Sequence, residues 1–208
     1  MKTHPSLELE IELCQQGYHH VVGIDEAGRG TWAGPVYAGA VILKPEEETV
    51  RLLAGVNDSK KMTEKQRDAN FALIQEVALT WGIGNASATE IDQLGIVPAT
   101  ELAMARAVAQ LSIQPDYALI DAFFNRQIQL PQKGIVKGDA KSLSIAAASV
   151  LAKVARDRYM EELAAQYPGY GFEIHKGYGT VLHMAKLKEL GVSPVHRKTF
   201  KPIRELLS

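Results

Sequence analysis

A chain of 208 residues, 46% hydrophobic and 23% charged, is long enough for one well-filled core and too short for two independent ones. That composition excludes a disordered or collagen-like chain. No run approaches the ~20 apolar residues of a membrane span, and the single cysteine, Cys14, excludes an internal disulfide and a CxxC zinc site. The net charge of −1 conceals a division: residues 1–132 carry 10 Lys and Arg against 17 Asp and Glu, a net −7, whereas residues 133–208 carry 13 against 7, a net +6. A basic last third fits a face that meets polyanions, and it fits equally a set of solvated lysines. The opening MKTHPSLELEIEL has acids spaced through its apolar residues and does not read as a secretory signal. The expectation is one domain over residues 1–208, cytoplasmic and monomeric, with no membrane association.

The elements follow in chain order. Residues 7–16 read as a short amphipathic helix with Leu7, Ile11 and Cys14 on its apolar side, within an N-terminal helical segment of about residues 1–18. Val21 to Ile24 and Val36 to Leu43 are β-rich runs around a glycine-rich connection. A loop punctuated by Pro45 and Gly55 leads to Thr63-Glu64-Lys65-Gln66, a capping box that opens a helix to about Leu79. Trp81 to Ala86 is a strand, residues 98–111 a helix starting at Pro98, Tyr117 to Ile120 a short strand and Gly134 to Lys137 another. Residues 142–166 carry the longest helical pattern, small and apolar on nearly every side at its start and therefore buried there. Residues 167–208 form an extension rich in Gly, Pro, His and Lys, with a short helix near 180–190. Strands interleaved with helices make an α/β protein, and the two adjacent early strands argue for a mixed sheet. Met62, Met104, Met160 and Met184 read as packing.

The chemical signal lies in acids that follow apolar runs. Asp25 and Glu26 follow Val21 to Ile24, Asp121 follows Tyr117 to Ile120, and Asp139 follows Ile135 to Gly138. Each alone is most simply a solvated carboxylate. Strand ends of an α/β sheet converge on a cleft, so the set points to a shared site. Gathered carboxylates repel, and a divalent cation offsets that; oxygen ligands without thiolate or imidazole suit Mg²⁺ or Mn²⁺. Neighbouring residues of a regular strand face opposite ways, so Asp25 and Glu26 share a site only where the strand ends or bulges.

Other segments have two readings each. Gly28-Arg29-Gly30 is a turn, or a loop whose backbone approaches a ligand. It is not a dinucleotide fingerprint, since Ala33 stands where the third glycine belongs. Asn57-Asp58-Ser59-Lys60-Lys61 is an exposed helix lead-in or a set of phosphate contacts. In His175-Lys176-Gly177-Tyr178, Tyr178 stacks on a sugar or base, or is simply half-buried.

Taken together, Gly23-Ile24-Asp25-Glu26-Ala27-Gly28-Arg29-Gly30, Asn57-Asp58-Ser59-Lys60-Lys61, Leu119-Ile120-Asp121, Val136-Lys137-Gly138-Asp139, Ser144-Ile145-Ala146-Ala147-Ala148-Ser149 and His175-Lys176-Gly177-Tyr178 resemble, in order, the type 2 ribonucleases H, and among them bacterial ribonuclease HII. The likeness runs from about residue 17 to 204. The length favours ribonuclease HII over ribonuclease HIII, because no extra N-terminal substrate-binding domain precedes the first strand. The resemblance implies a ribonuclease H-like fold, a five-stranded mixed sheet flanked by helices with a helical C-terminal extension that contacts substrate. It implies an endonuclease that cuts RNA in RNA–DNA hybrids and cuts 5′ to single ribonucleotides in duplex DNA, leaving 3′-hydroxyl and 5′-phosphate ends. Such an enzyme serves ribonucleotide excision and RNA removal during replication. By position, Asp25, Glu26, Asp121 and Asp139 would be the catalytic acids and would hold two Mg²⁺ or Mn²⁺ ions. Gly28, Arg29 and Gly30 would recognise the 2′-hydroxyl, Tyr178 would pack on the following deoxyribose, and Asn57, Ser59 and Lys60 would touch the nucleic-acid backbone.

Two departures stand out. Thr31-Trp32 occupies a place where the family more often shows Pro-Leu, and Asp121 is followed by Ala122-Phe123-Phe124. Neither removes a carboxylate. Two other readings stay open on the sequence, a related two-metal DNA nuclease and a non-catalytic hybrid-binding module. No protein partner is indicated, and Thr199 to Ser208 does not spell a sliding-clamp motif.

Overall fold

The structure, a computed structural model, describes residues 4–208. In chain order the elements are α1 (Glu8–Gln15), β1 (Val21–Ala27), β2 (Val36–Ile42), α2 (Glu47–Leu52), α3 (Glu64–Val77), β3 (Thr80–Ala86), α4 (Ala88–Leu94), α5 (Ile96–Val108), β4 (Tyr117–Asp121), β5 (Gln132–Ile135), α6 (Leu143–Gln166), α7 (Phe172–His175), α8 (Val181–Leu190) and α9 (Lys201–Leu207). Short 3-10 turns occupy Ser59–Lys61 and Gly138–Ala140. Among the described residues no helix is long and apolar enough to cross a membrane.

The five strands form one mixed sheet in the order β3-β2-β1-β4-β5. β1, β2 and β3 are antiparallel neighbours, and β4 and β5 run parallel to β1. Side chains alternate between the two faces. Val22 and Ile24 of β1, Ala38 and Ala40 of β2, and Ala118 and Ile120 of β4 pack against Ala99, Ala103, Met104 and Ala107 of α5. On the other face Val21 and Leu119 meet Ile145 of α6, while Val41 and Leu43 meet Ala147, Leu151 and α3 residues Phe71 and Ile74. Small residues let α6 lie close to this face. A methyl group on Gly39 would run into the Ala148 carbonyl, so only glycine fits under the helix there. A third cluster joins the far half of α6 (Met160 and Leu163) to Tyr170, Phe172, Leu187 and Ile203 of the extension.

Several expectations need correction. The buried face of α1 is Leu7, Glu10 and Leu13, whereas Ile11 is exposed and Cys14 half-buried. Glu10 turns inward because its carboxylate accepts from Ser142 Oγ (2.6 Å), Ser144 Oγ (2.5 Å) and Ser144 N–H (3.2 Å) at the start of α6. A carboxylate suits a helix N-terminus. α5 starts at Ile96, two residues before Pro98, which the first turn tolerates because its N–H has no intrahelical partner there. The last strand ends at Ile135 rather than Lys137: Lys137 adopts a left-handed backbone (φ 56°) and Gly138 N–H donates to Asp121 instead. α2, α4, α7 and α9 were not anticipated.

Candidate active site

β1 and β4 pair only as far as Ile24 opposite Ile120. Asp25 and Asp121 come next on each strand. Alternation carries both to the α6 face, because Ile24 and Ile120 point toward α5. β1 shows no bulge. It stays in register with β2, Asp25 opposite Gly39 and Glu26 opposite Ala38. The expected break is therefore not in β1 itself; what stops is its pairing with β4, and Glu26 leaves the backbone toward the opposite face. Asp139 does not end a strand either, but lies buried in the Gly138–Ala140 turn. That turn is tied to Asp121, whose Oδ1 accepts from Gly138 N–H at 2.7 Å.

The acids feel one another. Burial pushes the Asp25 carboxyl well above the usual range, and Glu26, Asp121 and Asp139 push it the same way; the Glu26 N–H, donating to Asp25 Oδ1 at 2.7 Å, offsets part of this. Burial also raises Glu26 despite Arg29, whose Nη1 lies 3.4 Å from Glu26 Oε1. Asp139 is raised by burial and then by Asp58 and Asp121. Desolvation disfavours the charge of Lys60, yet Asp25, Asp139, Asp58 and Asp121 hold its ammonium above the ordinary value. Lys60, Asp58, Asp121, Val136, Lys137 and Asp139 line one cavity of ≈ 480 Å³. Asp58 and Lys137 were not singled out from the sequence.

The fit of a divalent cation can be judged from the donors. Glu26 Oε2 is buried and has no hydrogen-bond partner among the described residues, and Asp25 is a buried carboxyl that neighbouring acids make costly to ionise. A hard cation would relieve both. Among the described residues no three His, Cys, Asp or Glu side chains close around a single ion position. The acids are gathered at one strand junction without being drawn into contact, as like charges prefer.

The flanking segments are ordered by their own bonds. Gly28 needs a positive φ (93°), and a side chain there would strike the Arg156 guanidinium. Gly30 is exposed. Arg29 lies half-exposed over the Phe123 ring at 5.0 Å. Asn57 Oδ1 caps Asp58 N–H at 2.8 Å. Ser59 is buried and its hydroxyl accepts from Ser149 of α6 at 2.7 Å, so its side chain faces the helix rather than a ligand. Tyr178 is 40% exposed, with Lys153 Nζ 5.7 Å and Arg156 Cζ 5.8 Å from its ring centre. Among the described residues, the non-glycine residues with left-handed backbone are Ala122 (φ 66°), Lys137 (φ 56°) and Lys176 (φ 49°). Two line the acid cavity and the third precedes Gly177-Tyr178, the kind of place where strain accompanies function.

Acids at the carboxyl ends of the paired central strands of a five-stranded mixed sheet define a nuclease of ribonuclease H-like fold, and solved structures agree. Ribonuclease H2 from Pyrococcus horikoshii OT3 superposes with a TM-score of 0.73 at 27% identity, covering 89% of this chain and 96% of that one. Bst-RNase HIII, solved in complex with Mn²⁺, gives 0.70 at 18% identity over 90% and 69% of the two chains, a likeness of fold. The family model described as ribonuclease HII matches residues 22–203. The ribonuclease HII of Geobacter metallireducens is 52% identical over 193 residues, which is 93% of this chain and 89% of that protein. The chain belongs to the ribonuclease HII family and is a ribonuclease H, an endonuclease acting on RNA–DNA hybrids.

Proposed function

We propose that this ribonuclease H also cuts 5′ to single ribonucleotides embedded in duplex DNA, leaving 3′-hydroxyl and 5′-phosphate ends, and that Asp25, Glu26, Asp121 and Asp139 hold two Mg²⁺ or Mn²⁺ ions for that reaction. The observation that carries the reading is the buried, unpartnered Glu26 Oε2 beside a buried Asp25 at the point where β1 and β4 part. When bound, the ions would activate a water and offset charge developing at the scissile phosphate. The protein's own groups do the rest. Lys60, exposed beside the acids, draws in the phosphodiester backbone. The Arg29 and Gly30 N–H groups, which donate to no acceptor among the described residues, are free to meet the ribose 2′-hydroxyl, the one sugar group that separates RNA from DNA. The half-exposed Tyr178 packs on the deoxyribose that follows. Residues 167–208 lie along the duplex as part of a single domain, with Asn57 supporting the lead-in turn that presents Lys60.

The test is a labelled duplex with one ribonucleotide, incubated with Mg²⁺, Mn²⁺ or EDTA. Cutting at the 5′ side of the ribonucleotide with either metal, none with EDTA and none by Asp25→Asn is the expected pattern. Asp25→Asn should at the same time raise the Tm of the metal-free protein, because a buried charge held among acids is removed. Metal-independent cutting, or equal cutting of an all-DNA duplex, would overturn the proposal.

A further inference from the structure

Two arginines lie fully buried behind the Gly28–Gly30 loop, Arg156 from α6 and Arg197 from the segment between α8 and α9. Neither takes part in an ion pair among the described residues; the arginines that do are Arg29, Arg51, Arg67, Arg106 and Arg158. A buried guanidinium without a carboxylate is costly unless its donors are filled. Here backbone carbonyls and one hydroxyl fill them. Arg197 donates from Nη2 to Gly28 O (2.7 Å), from Nη1 to Arg29 O (2.8 Å) and from Nε to Gly34 O (3.0 Å). Arg156 donates from Nε to Pro35 O (3.0 Å), from Nη2 to Thr31 Oγ1 (2.9 Å), and from Nη1 to Lys176 O (2.9 Å). Thr31 Oγ1 passes the contact on, donating to Gly28 O at 3.0 Å.

The pattern is selective. The guanidinium of Arg197 takes up the loop's carbonyls from behind, which turns the Arg29 and Gly30 N–H groups outward. The guanidinium of Arg156 reaches across to Lys176, two residues before Tyr178 and held in a left-handed backbone. A guanidinium is planar and rigid, so it sets distances where a lysine would only supply charge. Core packing alone does not call for two neighbouring like charges in this position.

We propose that Arg156 and Arg197 are positioning residues for ribonucleotide recognition, together fixing the separation between the Gly28–Gly30 backbone and the Tyr178 ring, and so setting how well a lone ribonucleotide is cut relative to a continuous hybrid. This rests on the reading that the loop meets the 2′-hydroxyl and that Tyr178 packs on the next sugar.

The measurement is kcat/KM with Mn²⁺ on a duplex carrying one ribonucleotide, divided by kcat/KM on a uniform RNA–DNA hybrid. Arg197→Lys and Arg156→Lys should each lower that ratio about tenfold, the equivalent of roughly one well-placed charged hydrogen bond. In a Tyr178→Ala background Arg156→Lys should lower it no further, because the spacing then has nothing to serve. A merely structural role would lower both rates together with Tm and leave the ratio alone, and that result overturns the inference. Should the lysine variants fail to fold, Thr31→Val decides: it keeps shape and charge, breaks the Arg156–Thr31–Gly28 relay, and must also lower the ratio. A wild-type protein that does not cut at the single ribonucleotide refutes the parent reading instead, whatever the variants do.

Discussion

At the scale of single residues, position along a strand is what the sequence makes legible. Asp25, Glu26 and Asp121 each close an apolar run, and the end of β1–β4 pairing brings them to one junction. Ser59 and Arg197 were hidden for the opposite reason. Whether a hydroxyl faces solvent or a guanidinium faces carbonyls depends on partners more than 80 residues away, Ser149 and Gly28. The left-handed backbone at Ala122, Lys137 and Lys176 was equally invisible, since no glycine marks it. Tyr178 offers the sharpest test at this scale. On the proposed stacking role, Tyr178→Ala should reduce cutting at a single ribonucleotide about tenfold more than cutting of a long hybrid, because that role serves only the sugar next to a lone ribonucleotide. Equal losses, measured as kcat/KM on the two substrates, would remove its junction role.

At the scale of elements, the longest pattern was the most legible. A run of small apolar residues predicts a helix over 142–166 that is buried at its start, and α6 occupies 143–166 with its first ten residues buried. The apolar stripe on α1 was misread because periodicity counts Glu10 as polar, whereas three donors at the start of α6 draw it inside. α4 carries a readable signal of its own, Ser87 and Glu90 forming a second capping box. Close approach makes Gly39→Ala a test of α6 packing. The added methyl meets the Ala148 carbonyl, and overpacking of this kind should cost about 1–3 kcal/mol, seen as a lower urea midpoint. The extension has its own pH dependence. His183 and His196 are buried, their Nε2 atoms 3.0 Å apart, and burial lowers both from 6.5 to about 4, helped for His196 by His183. Between those values the unfolded chain binds protons that the folded protein refuses, so stability is lost as pH falls from 6.5 toward 4. Thermal melting across that interval should show the decline, and His196→Gln should flatten it.

At the scale of the whole molecule, the division of charge along the chain was plain in the sequence, but its use was not, because charge counts do not say which lysines face the acids. Among the described residues, Lys60, from the acidic part of the chain, is the lysine held above its ordinary value by four carboxylates. Lys60→Ala should weaken duplex binding and reduce the slope of log K against log salt by about 1, read from anisotropy titrations at several ionic strengths. The mixed sheet itself was legible from two adjacent β-rich runs followed by helix–strand alternation; the strand order was not, since nothing local says that β4 will lie beside β1. α6 also has a mechanical consequence. Its 24 residues make a beam about 36 Å long, anchored by Glu10 at one end, lying on the sheet through its middle, and carrying Arg156 and Met160 into the extension at the other. The sheet that carries Asp25 and Asp121 and the extension that carries Phe172 and Leu187 are thus braced by one unbroken rod, so a substitution that bends α6 should be felt at both ends together.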